Sequence, residues 1–179
     1  MKKFAILSLT IALLGTHVFA QAPEPQTEHA WLKQLVGEWE YDTEASLEAG
    51  KPPVKITGTE QVRMVGGFWA ISEYSAKLSD SPFTGILTLG FDGEKKKYVG
   101  TWIDSMNSHL LHYEGTVDTA GKSLTLFTEG PDPAAPGKRC KFKEVIEVKD
   151  RDHKVVTTSM QGDEGKWVLL MTINYRRMK

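Results

Sequence analysis

Two glutamates stand in rows of alternate residues that are otherwise apolar, which is the pattern of a strand with one buried face. Burial raises the pKa of a carboxyl group, and such groups act as general acids or bases or hold the polar groups of a ligand. In the simpler interpretation, each acid is satisfied by a buried Tyr or Trp, by Arg177 or by a backbone amide. Both interpretations place the two carboxylates inside the molecule. The rows are Val54, Ile56, Gly58, Glu60, Val62 and Met64, and Cys140, Phe142, Glu144, Ile146 and Val148.

Other polar and aromatic side chains are expected to line the same interior. Glu73 shares a row with Trp69 and Ile71. Two further rows add an aromatic wall, an acid and an imidazole: Tyr98, Gly100, Trp102 and Asp104, and His109, Leu111 and Tyr113. The predicted ligand-binding residues are therefore Glu60, Glu73, Trp102, Asp104, His109, Tyr113 and Glu144.

The histidines raise the question of a metal or haem site. His109 and His112 are three residues apart, and an odd spacing on a strand sends two side chains to opposite faces, so they do not share a metal. A nitrobindin-like haem site, in a related type of barrel, would need one inward His, and His109 is the only candidate. We predict no metal and no cofactor. The sequence also has no nucleophile elbow, phosphate loop or Cys-His pair at useful spacing, so no catalytic residue is assigned.

The elements that must position these residues are strands. A short helix is predicted over residues 28–36, with Thr27 as its cap, and it ends before Gly37. About ten strand-like segments follow at short, regular spacing, separated by turns such as Asp92-Gly93. This pattern is typical of an antiparallel barrel or sandwich. The last segment predicts another inward row: Trp167, Leu169, Met171, Ile173, Tyr175 and Arg177.

The start of the first strand carries a Gly-x-Trp motif, at Gly37 and Trp39. A helical turn, this motif and a first strand resemble the opening of lipocalin-like (calycin) barrels. The resemblance implies that Trp39 plugs the closed end of the barrel. It also implies that an Arg from the last strand lies on the Trp ring, and alternation favours Arg177 over Arg176 for this role. The predicted fold is a single all-β, antiparallel, lipocalin-like barrel with a short N-terminal helix.

A set of short segments, spread in order over nearly the whole chain, resembles a bacterial family catalogued as domain of unknown function 1579. That family has no established activity, so the resemblance implies no reaction or ligand. The segments are Glu28-His29-x-x-Leu32-x-x-Leu35-x-Gly37-x-Trp39, Gly58-Thr59-Glu60, Thr88-Leu89-Gly90-Phe91-Asp92, Val99-Gly100-Thr101-Trp102-Ile103-Asp104-Ser105-Met106, Tyr113-Glu114-Gly115 and Thr128-Glu129-Gly130-Pro131.

Residues 1–20 have the pattern of a cleaved signal peptide of bacterial type. Lys2 and Lys3 precede an apolar run over residues 4–14, and a small-x-small site ends at Ala20. Cleavage removes two of the 22 Lys and Arg residues and none of the 23 Asp and Glu residues, which leaves a net charge of −3. This mild charge gives no basic surface for nucleic acid or an anionic membrane. We predict a periplasmic or secreted protein with a flexible leader over residues 21–27 and one barrel domain over residues 28–179.

A barrel of about this strand number encloses a cavity for one small ligand. The predicted function is binding of a small, partly apolar molecule, with no nucleic acid partner and, after signal cleavage, no membrane partner; no oligomeric state is predicted. Two alternatives stay open. One is a hydrolase- or isomerase-like enzyme that uses the inward carboxylates, and the other is an interaction module whose barrel is filled by side chains.

Overall fold

Each strand of the chain pairs with its sequence neighbours, and the first and last strands pair with each other, so the sheet closes into an antiparallel barrel. The computed structural model describes residues 24–45, 53–78, 81–133 and 135–179; the predicted signal peptide lies outside these residues. The ten strands of the described residues confirm the all-β barrel. They are β1 Gly37–Ala45, β2 Val54–Val65, β3 Trp69–Leu78, β4 Ser81–Asp92, β5 Lys97–Asp104, β6 Asn107–Val117, β7 Ser123–Pro131, β8 Arg139–Val148, β9 His153–Gln161 and β10 Trp167–Arg177.

One α-helix precedes the barrel within the described residues, α1 (Thr27–Leu32), and a 3₁₀ turn (Lys33–Leu35) follows it directly. The cap predicted at Thr27 is wrong, because the cap residue is Gln26. The Gln26 backbone N–H donates to Nδ1 of His29 at 2.9 Å, which orders the first turn. The two short helical pieces bury an apolar cluster against one end of the barrel: Trp31, Leu32 and Leu35.

Strand β10 contains a bulge that changes which of its side chains face inward. Its pairing with β9 shifts between Leu169 and Met171. Beyond the shift, Met171 and the alternate residues that follow face the interior as predicted. Before it, Trp167 packs on the outer face against Phe127 and Lys143, and Leu169 is 60% exposed. The inward assignment of Trp167 and Leu169 is therefore wrong, since one extra residue in a strand reverses the alternation.

Candidate functional site

The closed end of the barrel is plugged by Trp39, which is 1% exposed. Its Nε1–H donates to the carbonyl of Leu35 at 2.8 Å. The guanidinium carbon of Arg177 lies 4.0 Å from the Trp39 ring centroid, so the predicted cation–π contact is confirmed. Arg177 also donates to the carbonyls of Val36 and Gln34, which binds the 3₁₀ turn to the last strand.

Gly37 is what allows Arg177 to reach this position. A Cβ atom at Gly37 would lie 2.1 Å from Nη1 of Arg177, and the residue adopts a φ of +134°. A side chain there would have to displace the guanidinium group and would also strain the backbone. The Gly-x-Trp motif is thus a steric requirement of the contact between Arg177 and Trp39.

A buried ion pair forms the layer above this plug. Nζ of Lys154 lies 2.5 Å from Oε2 of Glu60, and the two side chains are only 3% and 2% exposed. The same Nζ lies 4.6 Å from the ring centroids of Trp39 and Tyr175. Burial lowers the pKa of Lys154, and the charge of Glu60 opposes that shift. The hydroxyl of Tyr74 donates to Glu60, so this carboxylate has both a cation and a hydrogen-bond donor.

The inward direction of Glu60 is confirmed, but the carboxylate is satisfied within the protein. It lies below the internal cavity and is not among the residues that line it. The simpler interpretation of its burial therefore fits the geometry, with Lys154 as the internal cation instead of an arginine.

Above the ion pair lies a cavity of about 370 Å³. This volume is within the range of small-molecule sites. Ile, Leu, Val, Met and Ala side chains form much of the wall, and the polar members include Thr43, Thr158 and Glu144. The aromatic members of the wall are Tyr41, Tyr74, Phe83, Trp102, Tyr113 and Tyr175.

Glu144, on β8, places a carboxylate in this wall. Burial raises its pKa from the ordinary value of 4.5 to about 7, a hydrogen bond from Tyr113 opposes the shift, and the charge of Glu60 adds to it. The pKa of Tyr113 is raised by burial and by the charge of Glu144. Among the described residues that line the cavity, Glu144 is the only carboxylate, and none of them is Lys, Arg or His.

Trp102 is held in the cavity wall by contacts on both sides. Its Nε1–H donates to Oδ2 of Asp104 at 2.8 Å, and its ring packs 5.2 Å from Tyr74. Gly85 makes room for it, because a Cβ atom there would lie 2.5 Å from the indole. Asp104 also accepts hydrogen bonds from the backbone of Met106 and Asn107, so it supports Trp102 and the β5–β6 turn without lining the cavity.

The family is decided by a match over almost all of the described chain. The family model described as protein of unknown function (DUF1579) matches residues 24–177. The chain belongs to the DUF1579 family. No curated protein matches this DUF1579 chain in sequence. None of the helices in the described segments is long and apolar enough to span a lipid bilayer.

Two solved structures share the barrel fold of this DUF1579 protein. The crystal structure of Rv2717c from M. tuberculosis matches with a TM-score of 0.63 at 13% identity, over 87% of this chain and 100% of that chain. The S-type phycobiliprotein lyase CPES from Guillardia theta matches with a TM-score of 0.58 at 13% identity, over 86% of this chain and 94% of that chain. At these identities the likeness shows a common fold.

Three of the seven predicted site residues line the cavity of the DUF1579 barrel: Trp102, Tyr113 and Glu144. Glu73 does not, because the inner row of β3 is Ala70, Ser72, Tyr74 and Ala76. Its side chain is 54% exposed, lies 3.7 Å from Arg63 and lines an outer groove. The inward placement of Glu73 is wrong, and the large Trp69 and Ile71 in its row are what made the outer face of β3 resemble a core.

His109 is exposed on β6 and does not line the cavity either. The described residues contain no group of three or more His, Cys, Asp or Glu side chains placed to hold a metal ion.

Sequence reasoning missed Lys154 and Tyr74, the two residues that satisfy Glu60. Lys154 opens an inward row on β9 that continues through Val156, Thr158 and Met160, and this alternation could have identified it. A lysine at the end of a strand is ordinarily solvated, so its position did not suggest that Lys154 is buried. Tyr74 lies on the inner face of β3. The other side chains of that face are small, so the sequence did not indicate that the face is buried.

Proposed function

We propose that this DUF1579 protein binds a small, largely apolar molecule non-covalently in the cavity above the Glu60–Lys154 pair. The observation that carries the proposal is a preformed cavity of about 370 Å³ with aromatic and aliphatic walls and one carboxylate, Glu144. Ligand sites combine such apolar walls with a few placed polar groups. The barrel that the chain shares with a phycobiliprotein lyase is compatible with this function. A barrel filled by side chains, the interaction-module alternative, does not fit an open cavity of this size.

The proposal is tested with N-phenyl-1-naphthylamine, a neutral apolar fluorophore whose emission rises in apolar surroundings. We expect saturable binding to the purified protein. Ala76→Phe places a ring in the cavity and should abolish this signal, because Ala76 lines the wall. Ser75→Phe adds the same ring at the neighbouring exposed position and is the matched control. Equal fluorophore binding by both folded variants would overturn the proposal.

Export belongs to the same proposal, and the protein would work in the periplasm or outside the cell. Its support is the signal-like sequence of residues 1–20, with Lys2 and Lys3 before the apolar run. Sequencing the N-terminus of the protein from a periplasmic extract tests it. A mature chain that begins near Gln21 is expected, and a cytoplasmic protein that retains Met1 would contradict it.

A second candidate function is general acid–base catalysis on the bound molecule. One observation favours it: the pKa of Glu144, raised to about 7, suits a group that both gives and takes a proton near neutral pH. Turnover of a cavity-bound substrate that is lost in Glu144→Gln and kept in Glu147→Gln, on the outer face of the same strand, would support catalysis over simple binding.

A further inference from the structure

The charged side chains in and below the cavity wall disfavour a ligand with an anionic group. Glu144 is the only carboxylate among the described lining residues, and they include no cationic side chain. Lys154 lies below the cavity, with its Nζ 4.6 Å from the ring centroid of Tyr175, and Glu60 already pairs it at 2.5 Å. An anionic ligand group would therefore meet a carboxylate without a free cation to balance it. Burying such an unpaired charge is costly.

The groups that face Glu144 come from every element around it. On β8 and its partners the register places Leu126 of β7 and Thr158 of β9 beside it. Tyr113 of β6 donates to its carboxylate. From across the barrel, Tyr74 and Tyr175 lie close enough that the charge of Glu144 contributes to the raised pKa of each hydroxyl group. The Glu60–Lys154 pair lies deeper in the barrel. Glu144 thus has one neutral hydrogen-bond donor, Tyr113, and no ion-pair partner among the described residues.

Aromatic rings continue from this carboxylate along the wall. The centroids of Trp102 and Tyr74 are 5.2 Å apart, those of Tyr74 and Tyr41 are 6.3 Å apart, and those of Tyr41 and Tyr175 are 5.3 Å apart. The faces of such rings carry partial negative charge and attract organic cations. A carboxylate beside aromatic faces is a chemical match for an ammonium group attached to an apolar body.

We propose that the molecule bound in the cavity is an amine with a small aromatic or aliphatic body, whose ammonium group pairs with Glu144 while the body contacts the aromatic wall. This inference rests on the proposed function, since it names the class of ligand for the same cavity. The ammonium group competes with a proton for the Glu144 carboxylate. Because the pKa of that group is raised to about 7, amine affinity should rise as the pH is raised through neutrality.

The test compares three indole probes of similar size by their displacement of N-phenyl-1-naphthylamine. Tryptamine carries an ammonium group, 3-propylindole is its neutral isostere, and indole-3-acetate carries a carboxylate. At pH 8 tryptamine should bind about tenfold or more tightly than 3-propylindole, the fold-change of one charge-assisted hydrogen bond. Indole-3-acetate should bind most weakly. At pH 5.5, where Glu144 is protonated, the preference for tryptamine should shrink to about twofold or less.

Glu144→Gln should remove the preference for tryptamine at pH 8 and leave the affinity for 3-propylindole within about twofold. Glu147→Gln, on the outer face of the same strand, is the matched control and should keep the preference. The pH series on the unaltered protein tests the same point if Glu144→Gln fails to fold.

Failure of this inference is distinguishable from failure of the proposed function. Equal binding of tryptamine and 3-propylindole at pH 8, tightest binding of indole-3-acetate, or fluorophore binding that tryptamine does not displace would each overturn the amine inference. In all three cases the cavity would still bind apolar molecules. Absence of fluorophore binding would overturn the proposed function and the amine inference together.

Discussion

Glu60 and Glu144 are the same residue type on the same inner surface, but their neighbours differ. Glu60 is paired with Lys154 and accepts a hydrogen bond from Tyr74, and water hardly reaches it. Glu144 accepts a hydrogen bond from Tyr113 and faces the cavity. The first acid is held by groups that belong to the fold. The second accepts a hydrogen bond from a neutral group, and no cationic side chain among the described residues lines its cavity.

Because both charges of the Glu60–Lys154 pair are buried, removal of one should leave the other unpaired. We expect Lys154→Met to lower the free energy of unfolding by about 3–5 kcal/mol, and Glu60→Leu to act in the same direction. The double variant should recover most of the loss, since two apolar side chains leave no buried charge. Urea denaturation measures all three values.

The control for this pair is Lys149→Met. Lys149 pairs with Glu147 at the surface, where both side chains are nearly half exposed. Its replacement should change the free energy of unfolding by less than about 1 kcal/mol. Losses that simply add in the double variant would contradict the assignment of Glu60 and Lys154 as a mutually satisfied pair.

Glu144 should make the protein less stable as the pH rises. The unfolded chain releases this proton near pH 4.5, whereas the folded protein keeps it until about pH 7. Between these values the folded state binds more protons, so the free energy of unfolding falls with increasing pH. The stabilisation is fully present below pH 4.5 and is lost through pH 7, by about 3 kcal/mol in total.

The measurement is the difference in unfolding free energy between the unaltered protein and Glu144→Gln, from pH 4 to pH 8. The free energy of unfolding of the variant should increase relative to that of the unaltered protein as the pH rises across this range, because Gln carries no charge to bury. Glu147→Gln, on the outer face of the same strand, is measured beside it as the control. A flat difference for Glu144→Gln would mean that its carboxyl group is not desolvated in the fold.

At the scale of elements, the end of β10 joins three parts of the molecule. Arg177 lies on the Trp39 ring, donates to carbonyls of the 3₁₀ turn, and donates to the carbonyl of Arg151 at 2.9 Å. Arg176, the next residue along the chain, points the other way and pairs with Glu40 while 61% exposed. Of these two adjacent arginines, Arg177 therefore contributes contacts to the closed end of the barrel, whereas Arg176 forms an ion pair at the surface.

Arg177→Met should lower the free energy of unfolding by about 2–3 kcal/mol, because it removes the cation–π contact and leaves carbonyls of the 3₁₀ turn without a donor. Arg176→Met should change it by less than about 1 kcal/mol. Thermal and urea denaturation of the two variants give the comparison. Equal effects would show that the closed end does not depend on the inward arginine.

Alternation along single strands was enough to predict most elements. It gave the inward direction of Glu144, whereas the place of Trp39 at the closed end came from the resemblance to lipocalin-like barrels. It was wrong where a local feature breaks the period, as the bulge does for Trp167 and Leu169. The inward assignment of Glu73 was also wrong. Alternation separates the two faces of β3 but does not say which is buried, and the large side chains in the row of Glu73 suggested the wrong face. A period-two argument contains no information about an inserted residue.

At the scale of the whole molecule, the parts of the site that sequence did not reveal are contacts between distant strands. Glu60 of β2 meets Lys154 of β9, 94 residues along the chain. Each side chain looks anomalous alone, an acid in an apolar row and a lysine at a strand end. The two side chains become neighbours only in the closed barrel, where each charge is the ion-pair partner that allows the other to be buried.

The pairing of β1 with β10 also governs the order in which the molecule can be completed. Trp39 emerges early in synthesis, but its register partner Arg177 is made with the last strand of the barrel. Until then β1 keeps an unpaired edge, and Glu60 has no cation, because Lys154 also comes late. Assembly that depends on such distant segments is slow to begin. A nascent chain of this design therefore cannot close its barrel until β10 has been synthesised, however early β1 and β2 are made.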